Sequence, residues 1–278
     1  LACRLLQRPA ARLAQLAHPR AKVHRRHRMR GTVLAGDLDH GFGGFIIHDQ
    51  PYRALRWPLQ RAQTRASDKG MKAIFDQGPP PPCPAPFNMA AHVLARGVET
   101  PDKIALSVLG GPDLSYGALR AAVLGTATGL LDRGAVAGDR VLMRLGNTVD
   151  FPLAYLGALA AGLVPVPTAS ALTAREVRPM ISALNPVLIL HDRDVACPSD
   201  PRIVPLEDLR AMRGLPAAEF HLGDPERAGY IIYTSGTSGV PRGVVHAHRA
   251  IWARQMMFGG WYGLHSTDRM LHAGAFNW

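Results

Sequence analysis

The sequence predicts an α/β fold built on a parallel sheet, and three observations carry that prediction. Between Asp139 and Leu190 short apolar runs alternate with helix-length segments, in the order strand, helix, strand, helix, strand. Spacing of this kind calls for right-handed crossovers between parallel strands. Cap and turn residues sit at the ends where such elements need them: Gly162 closes one helix, and Thr173-Ala-Arg-Glu176 opens the next as a capping box. A further buried strand, Tyr230–Tyr233, then runs into six residues that are all Thr, Ser or Gly.

Taken in order, Asn88 is an N-cap for a helix through Arg96, stopped by Gly97. Lys103–Leu109 reads as a strand, and Gly110-Gly-Pro-Asp113 as the turn of a hairpin. Ser115 caps a helix in which Leu119, Val123, Leu130 and Leu131 recur near helical spacing, with Gly134 at its end. Asp139–Leu145 is a strand. Asp150–Ala161 is a helix that tolerates Pro152 in its first turn. Leu163–Pro167 is extended, the capped helix runs to about Leu184, and Pro186–Leu190 is a buried strand. Asp192–Pro225 reads as loop-rich, with a weak helix over Leu206–Met212. Beyond the small-residue loop, a helix is predicted from about His248 through Phe258, and Arg269–Trp278 approaches a strand and turn. His246 and His248, two apart on that predicted helix, would face different sides. They make a poor metal pair, and a structural role such as capping the helix is preferred over a place beside a bound ligand.

The apolar content of 47% over 278 residues allows a sizeable core. No run of eighteen apolar residues is present, so no membrane-spanning helix is expected. Cys3, Cys83 and Cys197 are scattered without metal-ligand spacing, which fits a reducing, cytoplasmic setting. The net charge of +11 is uneven: residues 1–70 hold 14 Lys or Arg against 4 acids, and the remainder is close to neutral. A nucleic-acid-binding face on the folded part is therefore not supported.

Composition divides the chain into a basic leader (1–70), a Pro-rich start and linker (71–87) and a domain (88–278). The leader fits an organelle transit peptide or a basic arm, but the change at Met71-Lys-Ala-Ile-Phe-Asp76 fits better with translated flanking sequence ahead of a natural start. The cluster Arg25-Arg26-His27-Arg28 carries no site assignment, and Gly41-Phe-Gly-Gly44 lacks the strand and helix that a dinucleotide loop requires. Gly78–Pro86, with prolines at most positions, reads as a stiff extended spacer rather than a proline-recognition ligand.

The candidate chemistry lies in Thr234-Ser235-Gly236-Thr237-Ser238-Gly239 and in Arg242-Gly243 just beyond. Small residues after a buried strand let backbone N–H groups converge on an anion, while hydroxyls add donors and Arg242 adds charge. A polyphosphate suits this set. The common P-loop does not match, because Gly-Lys-Ser/Thr is not at the required spacing.

The stretch Tyr233-Thr-Ser-Gly-Thr-Ser-Gly-Val-Pro-Arg-Gly-Val244 closely resembles the phosphate-binding signature of the adenylate-forming superfamily, which includes acyl-CoA synthetases, peptide-synthetase adenylation domains and luciferases. Arg242 stands where Lys is usual. Leu114-Ser-Tyr-Gly-Ala-Leu119 resembles the family's first core motif, and Tyr155–Pro167 its second, read as scaffolding. The resemblance covers about residues 88–278. It implies the N-terminal part of the large domain of such an enzyme, incomplete. The family's Tyr-Gly-x-Thr-Glu segment that helps hold Mg²⁺, its ribose-binding Thr-Gly-Asp and its mobile C-terminal domain with a Lys are not in this sequence. A fragment inactive on its own is the expectation.

What the resemblance implies is activation of a carboxylic acid by ATP to an acyl-adenylate, followed by thioester formation with coenzyme A. Thr234 and Arg242 are then the candidate catalytic groups. Thr234, Ser235, Gly236, Thr237, Ser238, Gly239, Arg242 and Gly243 form the nucleotide loop. His272, Phe276, Asn277 and Trp278 are candidates for the acid pocket. ATP, Mg²⁺ and coenzyme A are the expected small-molecule partners, and no protein metal ligand is assigned. Gly274–Trp278 and the Met71 start look most like ligases of the acetate–benzoate type. An amino-acid adenylation domain of a peptide synthetase is the alternative within the family, and a non-catalytic truncated nucleotide-binding or basic-armed product is the alternative outside it.

Overall fold

The computed structural model describes residues 44–47 and 81–278, apart from 110, 235–240, 273 and 277–278. The basic cluster at 25–28, residues 41–43, the Met71 start and most of the leader lie outside the described residues. Strand β1 (Gly44–Ile47) pairs antiparallel with the last strand, Arg269–His272.

Helix α1 (Met89–Ala95) starts where Asn88 predicts. The Asn88 side chain accepts from the Ala90 and Ala91 amides, and its Nδ2 donates to Leu159 O at 2.7 Å and His221 O at 3.0 Å. One residue thus caps a helix and ties it to two distant segments. Strands β2 (Ile104–Ser107) and β3 (Asp113–Ser115) form the expected hairpin. Helix α2 (Tyr116–Asp132) begins at the Ser115 cap and gives way to Gly134, whose φ of +85° is the left-handed conformation that glycine favours at helix ends. Leu131, grouped with the apolar positions in the sequence, is exposed near the end of α2.

The centre is a four-stranded parallel sheet in the order β5-β4-β6-β7, made of β4 (Arg140–Arg144), β5 (Val164–Pro167), β6 (Leu188–His191) and β7 (Ile203–Pro205). Helix α3 (Asp150–Ala160) carries the chain from β4 to one side, and α4 (Ala174–Leu184) carries it back across β4 to β6. Two crossovers of one hand travelling in opposite directions place their helices on opposite faces. Alternation along the strands matches. Val141, Met143, Leu188 and Leu190 bury against the face shared by α2 and α3, while Leu142 and Ile189 bury with Val177, Met180, Ile181 and Leu184 of α4. Those four α4 residues fall at the spacing of a single helical stripe. The predicted capping box is formed, with Thr173 and Glu176 each satisfying the other's backbone amide.

Two expectations change. The loop-rich reading of 192–225 gains an unpredicted strand, β7, while the weak helix predicted over Leu206–Met212 is present as α5 (Leu206–Ala211), continued by a 3₁₀ turn through Gly214. The helix predicted from His248 is preceded by an unpredicted strand. Strands β8 (Ala228–Thr234) and β9 (Arg242–Ala247) form an antiparallel hairpin, with Ile231 opposite Val245 and Ile232 opposite Val244. The β-branched Val244–Val245 pair finds β-branched partners across the hairpin, which outweighs its compatibility with a helix start. Helix begins only at Ala250, in two short pieces, α6 (Ala250–Arg254) and α7 (Met256–Gly260), before β10 (Arg269–His272). Ile231 joins the buried cluster of Val164 and Val166, so β8 packs beside β5.

The Pro-rich segment contacts the domain. Trp252 Nε1 donates to Pro81 O at 3.0 Å, and Phe87 pairs with Gly223 while its ring meets Trp252 and His92.

Candidate active site

The small-residue loop is the connection of the β8–β9 hairpin. Thr234, the last residue of β8, pairs with Arg242, the first of β9, and the Thr234 hydroxyl donates to Arg242 O at 3.4 Å. Both side chains are exposed at the same end of the hairpin. Ser235, Gly236, Thr237, Ser238 and Gly239 lie outside the described residues. Gly243 sits opposite Tyr233, where an added Cβ would lie 3.2 Å from Ile231 Cγ2 and 3.6 Å from the Tyr233 ring. Glycine at this position serves cross-strand packing.

Stacked rings brace the base of the hairpin. Tyr230 stacks on His246 with ring centres 4.6 Å apart and planes 6° apart, and Tyr155 meets Tyr230 edge-on at 5.9 Å. Burial, helped by Arg254, pushes the His246 pKa down. His248, past the end of β9 rather than on a helix, is fully buried. Its Nδ1 accepts from the Met89 amide at 3.1 Å. Burial first, then the charges of Arg227 and His221, push it down to about 4. It is a neutral structural histidine that joins β9 to α1.

A second set gathers beyond the carboxyl ends of the parallel strands, where open α/β sheets take ligands. Leu145, Gly146, Asn147, Phe151, Thr168, Ser170, Ala275 and Phe276 line a small pocket there. Asn147 Nδ2 donates to Gly274 O at 3.1 Å, and its Oδ1 accepts from the Phe276 amide at 3.1 Å. The Phe276 ring stacks on Phe151 at 5.5 Å and on His272 at 4.8 Å, the latter pair 8° from parallel. Beneath the pocket Arg144 is completely buried. Its guanidinium donates to the Thr168 hydroxyl and to the carbonyls of Ala169, Leu172 and Ala196, which fixes the β5–α4 loop to the 196 turn. Burial disfavours its charge. At the start of α3, buried Asp150 binds Arg210, Arg213 and the Thr148 hydroxyl. Burial opposes its ionisation, but these partners outweigh it and hold the carboxyl at about 2.

The structure thus brings Thr234 and Arg242 together and brings His272 to Phe276. Asn277 and Trp278 lie outside the described residues. Asn147 and Phe151 escaped the sequence reading. Their signal was positional, a Gly-Asn-Thr turn at the carboxyl end of a predicted parallel strand. Among the described residues no group of three or more His, Cys, Asp or Glu is arranged to hold a metal ion, and no helix is long and apolar enough to cross a membrane.

Comparison with known proteins gives consistent matches. The profile described as "AMP-binding enzyme" matches residues 94–278. A 4-hydroxybenzoate–CoA/benzoate–CoA ligase of Rhodopseudomonas palustris is 31% identical over 153 residues, covering 49% of this chain and 28% of the ligase. The hybrid PKS-NRPS synthetase gkaA of Penicillium citrinum is 27% identical over 179 residues, covering 62% of this chain and 4% of the synthetase. Among solved structures, a benzoate CoA ligase from Burkholderia xenovorans LB400 matches with a TM-score of 0.55 at 24% identity, covering 64% of this chain and 38% of that one. The chain therefore spans well under half the length of the proteins it matches.

Proposed function

The chain belongs to the AMP-binding enzyme family, and from that premise we propose that the protein activates a carboxylic acid with ATP and passes the acyl group to the thiol of coenzyme A. The observation that carries this reading is the hairpin. A connection of Ser, Gly and Thr followed by Val240-Pro241 leaves β8 at Thr234 and re-enters at Arg242, and these two residues pair across the strands and are both exposed. In this reading the acid oxygen attacks the α-phosphorus of ATP, the bond to pyrophosphate breaks, and the thiol then displaces AMP from the acyl-adenylate. Donors fixed before the reaction stabilise charge that gathers on the leaving pyrophosphate. In this reading the Arg242 fork is one such group, the Thr234 hydroxyl becomes a second by turning from Arg242 O, and the amides of 235–239 are assigned with them from their residue types alone. Arg242 offers planar, bidentate pairing where a lysine would offer a point charge. No described residue is assigned to Mg²⁺, which would be held in large part by the phosphates of ATP.

Similarity to a benzoate–CoA ligase supports a small aryl or acyl acid as the substrate, and we assign Phe276, which lines the small pocket, and His272, which stacks on it, to the acid site. The test is acid-dependent exchange of pyrophosphate into ATP by the protein made from its full coding sequence, across aryl, short acyl and amino acids. Exchange with aryl or acyl acids, followed by thioester formation on adding coenzyme A, is the expected result. Exchange with amino acids and no thioester with coenzyme A would move the assignment to a peptide-synthetase adenylation domain. No acid-dependent exchange at all would overturn the reading.

A further inference from the structure

We infer that Asn147 is a positioning residue that sets the shape of the acid pocket, by clamping the backbone of Gly274 and Phe276 against the β4–α3 turn. This rests on the acid-activation reading above and adds a specificity determinant to it. Three observations converge. Asn147 uses both ends of its amide on one short segment, as donor to Gly274 O and acceptor from Phe276 N, each at 3.1 Å. Phe276, held in this way, forms the middle of a three-ring stack with Phe151 below and His272 beside it. Asn147, Phe151, Ala275 and Phe276 all line one pocket together with Thr168 and Ser170.

An amide suits this task because it presents one donor and one acceptor in a plane, matching a carbonyl and an N–H two residues apart. Neither Asp nor Ala can do both. The segment is otherwise exposed, with Gly274 and Ala275 open to solvent, so its position depends on the clamp and the stack. Stacking on Phe151 and His272 uses the face of the Phe276 ring, so the position of the segment sets where the edge of the stack meets the pocket mouth. Asn147 would not touch the acid. It would act through Phe276.

The experiment compares wild type, Asn147→Ala, Asn147→Asp and Phe151→Leu, each made from the full coding sequence. Pyrophosphate exchange is measured against acid and against ATP, and amide hydrogen exchange is followed at 274–276 and in α2. The inference expects KM for benzoate to rise tenfold or more in both Asn147 variants and several-fold in Phe151→Leu, with KM for ATP within twofold of wild type. It also expects exchange at the Phe276 amide, the one N–H of the segment that Asn147 accepts from, to speed at least tenfold in Asn147→Ala, and less in Asn147→Asp, which keeps an acceptor, while α2 stays protected. An unchanged benzoate KM together with faster exchange at 274–276 would overturn the specificity role while leaving the acid-activation reading intact. Equal rises in the KM of ATP and acid, with loss of α2 protection, would mark a general structural role and overturn it too. Absence of acid-dependent exchange in wild type would overturn the acid-activation reading and this role with it, whereas exchange at 274–276 would still report whether the clamp exists.

Discussion

The parallel sheet and the β8–β9 hairpin solve different problems with different residues. In the sheet, Val141, Leu142, Met143, Ile189 and Leu190 are fully buried, and two helical faces cover them. In the hairpin, Val244 and Val245 remain 42% and 59% exposed, and its end is Thr234 and Arg242 in solvent. The first region is held by area removed from water. The second is held by cross-strand pairs and ring stacking, and it leaves its end free to meet a ligand. Stability and ligand handling should therefore be separable by mutation.

Four changes test that separation. Leu159→Ala, in the fully buried part of α3, should cost about 3–4 kcal/mol in urea unfolding. A cost below 1 kcal/mol would mean that the core does not pack as described.

His248 should come next. Its folded pKa of about 4 lies below the ordinary 6.5, so the unfolded chain takes up a proton first as the pH falls. Stability is then full above pH 6.5 and declines between 6.5 and 4, by on the order of 3 kcal/mol. His248→Gln should flatten that slope, and an unchanged slope would reject the buried neutral histidine.

Asp150 works at lower pH. Its pKa is held near 2 against an ordinary 3.8, so its contribution is full above pH 4 and is lost as the pH falls toward 2, by about 2 kcal/mol. Asp150→Asn should be less stable at pH 7 and lose the slope in that window, as followed by acid unfolding.

The smallest effect on folding belongs to the hairpin end. Arg242→Ala should change unfolding free energy by less than about 0.5 kcal/mol, as exposed substitutions do. It should weaken ATP binding about tenfold, or roughly 1.4 kcal/mol, by calorimetry. A large loss of stability instead would erase the contrast between the two regions.

Much of the sheet was legible because its signals are local. Asn88, Ser115 and Thr173 each cap the helix that follows them, and the alternation from β4 to β6 needs only neighbouring residues to be read. Strand β9 was not legible. His246-Ala247-His248 looks like a helix entrance, and only the partner strand, reached across the small-residue loop, decides otherwise. Strand β7 has three residues, too few for a period. The Asn147 clamp spans 127 residues to Gly274, so no spacing rule could disclose it. Thr234 and Arg242 stood out in the sequence for the opposite reason, since the loop's residue types carry chemistry whatever surrounds them.

Arg144 has a consequence for ions that approach the strand ends. Its donors all go to neutral partners, carbonyls and one hydroxyl, and no carboxylate is among them. The charge is therefore held in place but not cancelled, and it lies where dissolved salt cannot enter. Surface charges fade over about 8 Å at physiological ionic strength. Ions that approach the carboxyl end of β4 therefore do not reach the guanidinium itself, and its bonds to the loop after β5 and to the 196 turn should hold from dilute buffer to concentrated salt, while Asp150 and Asp192 at the same end offset its field outside the protein.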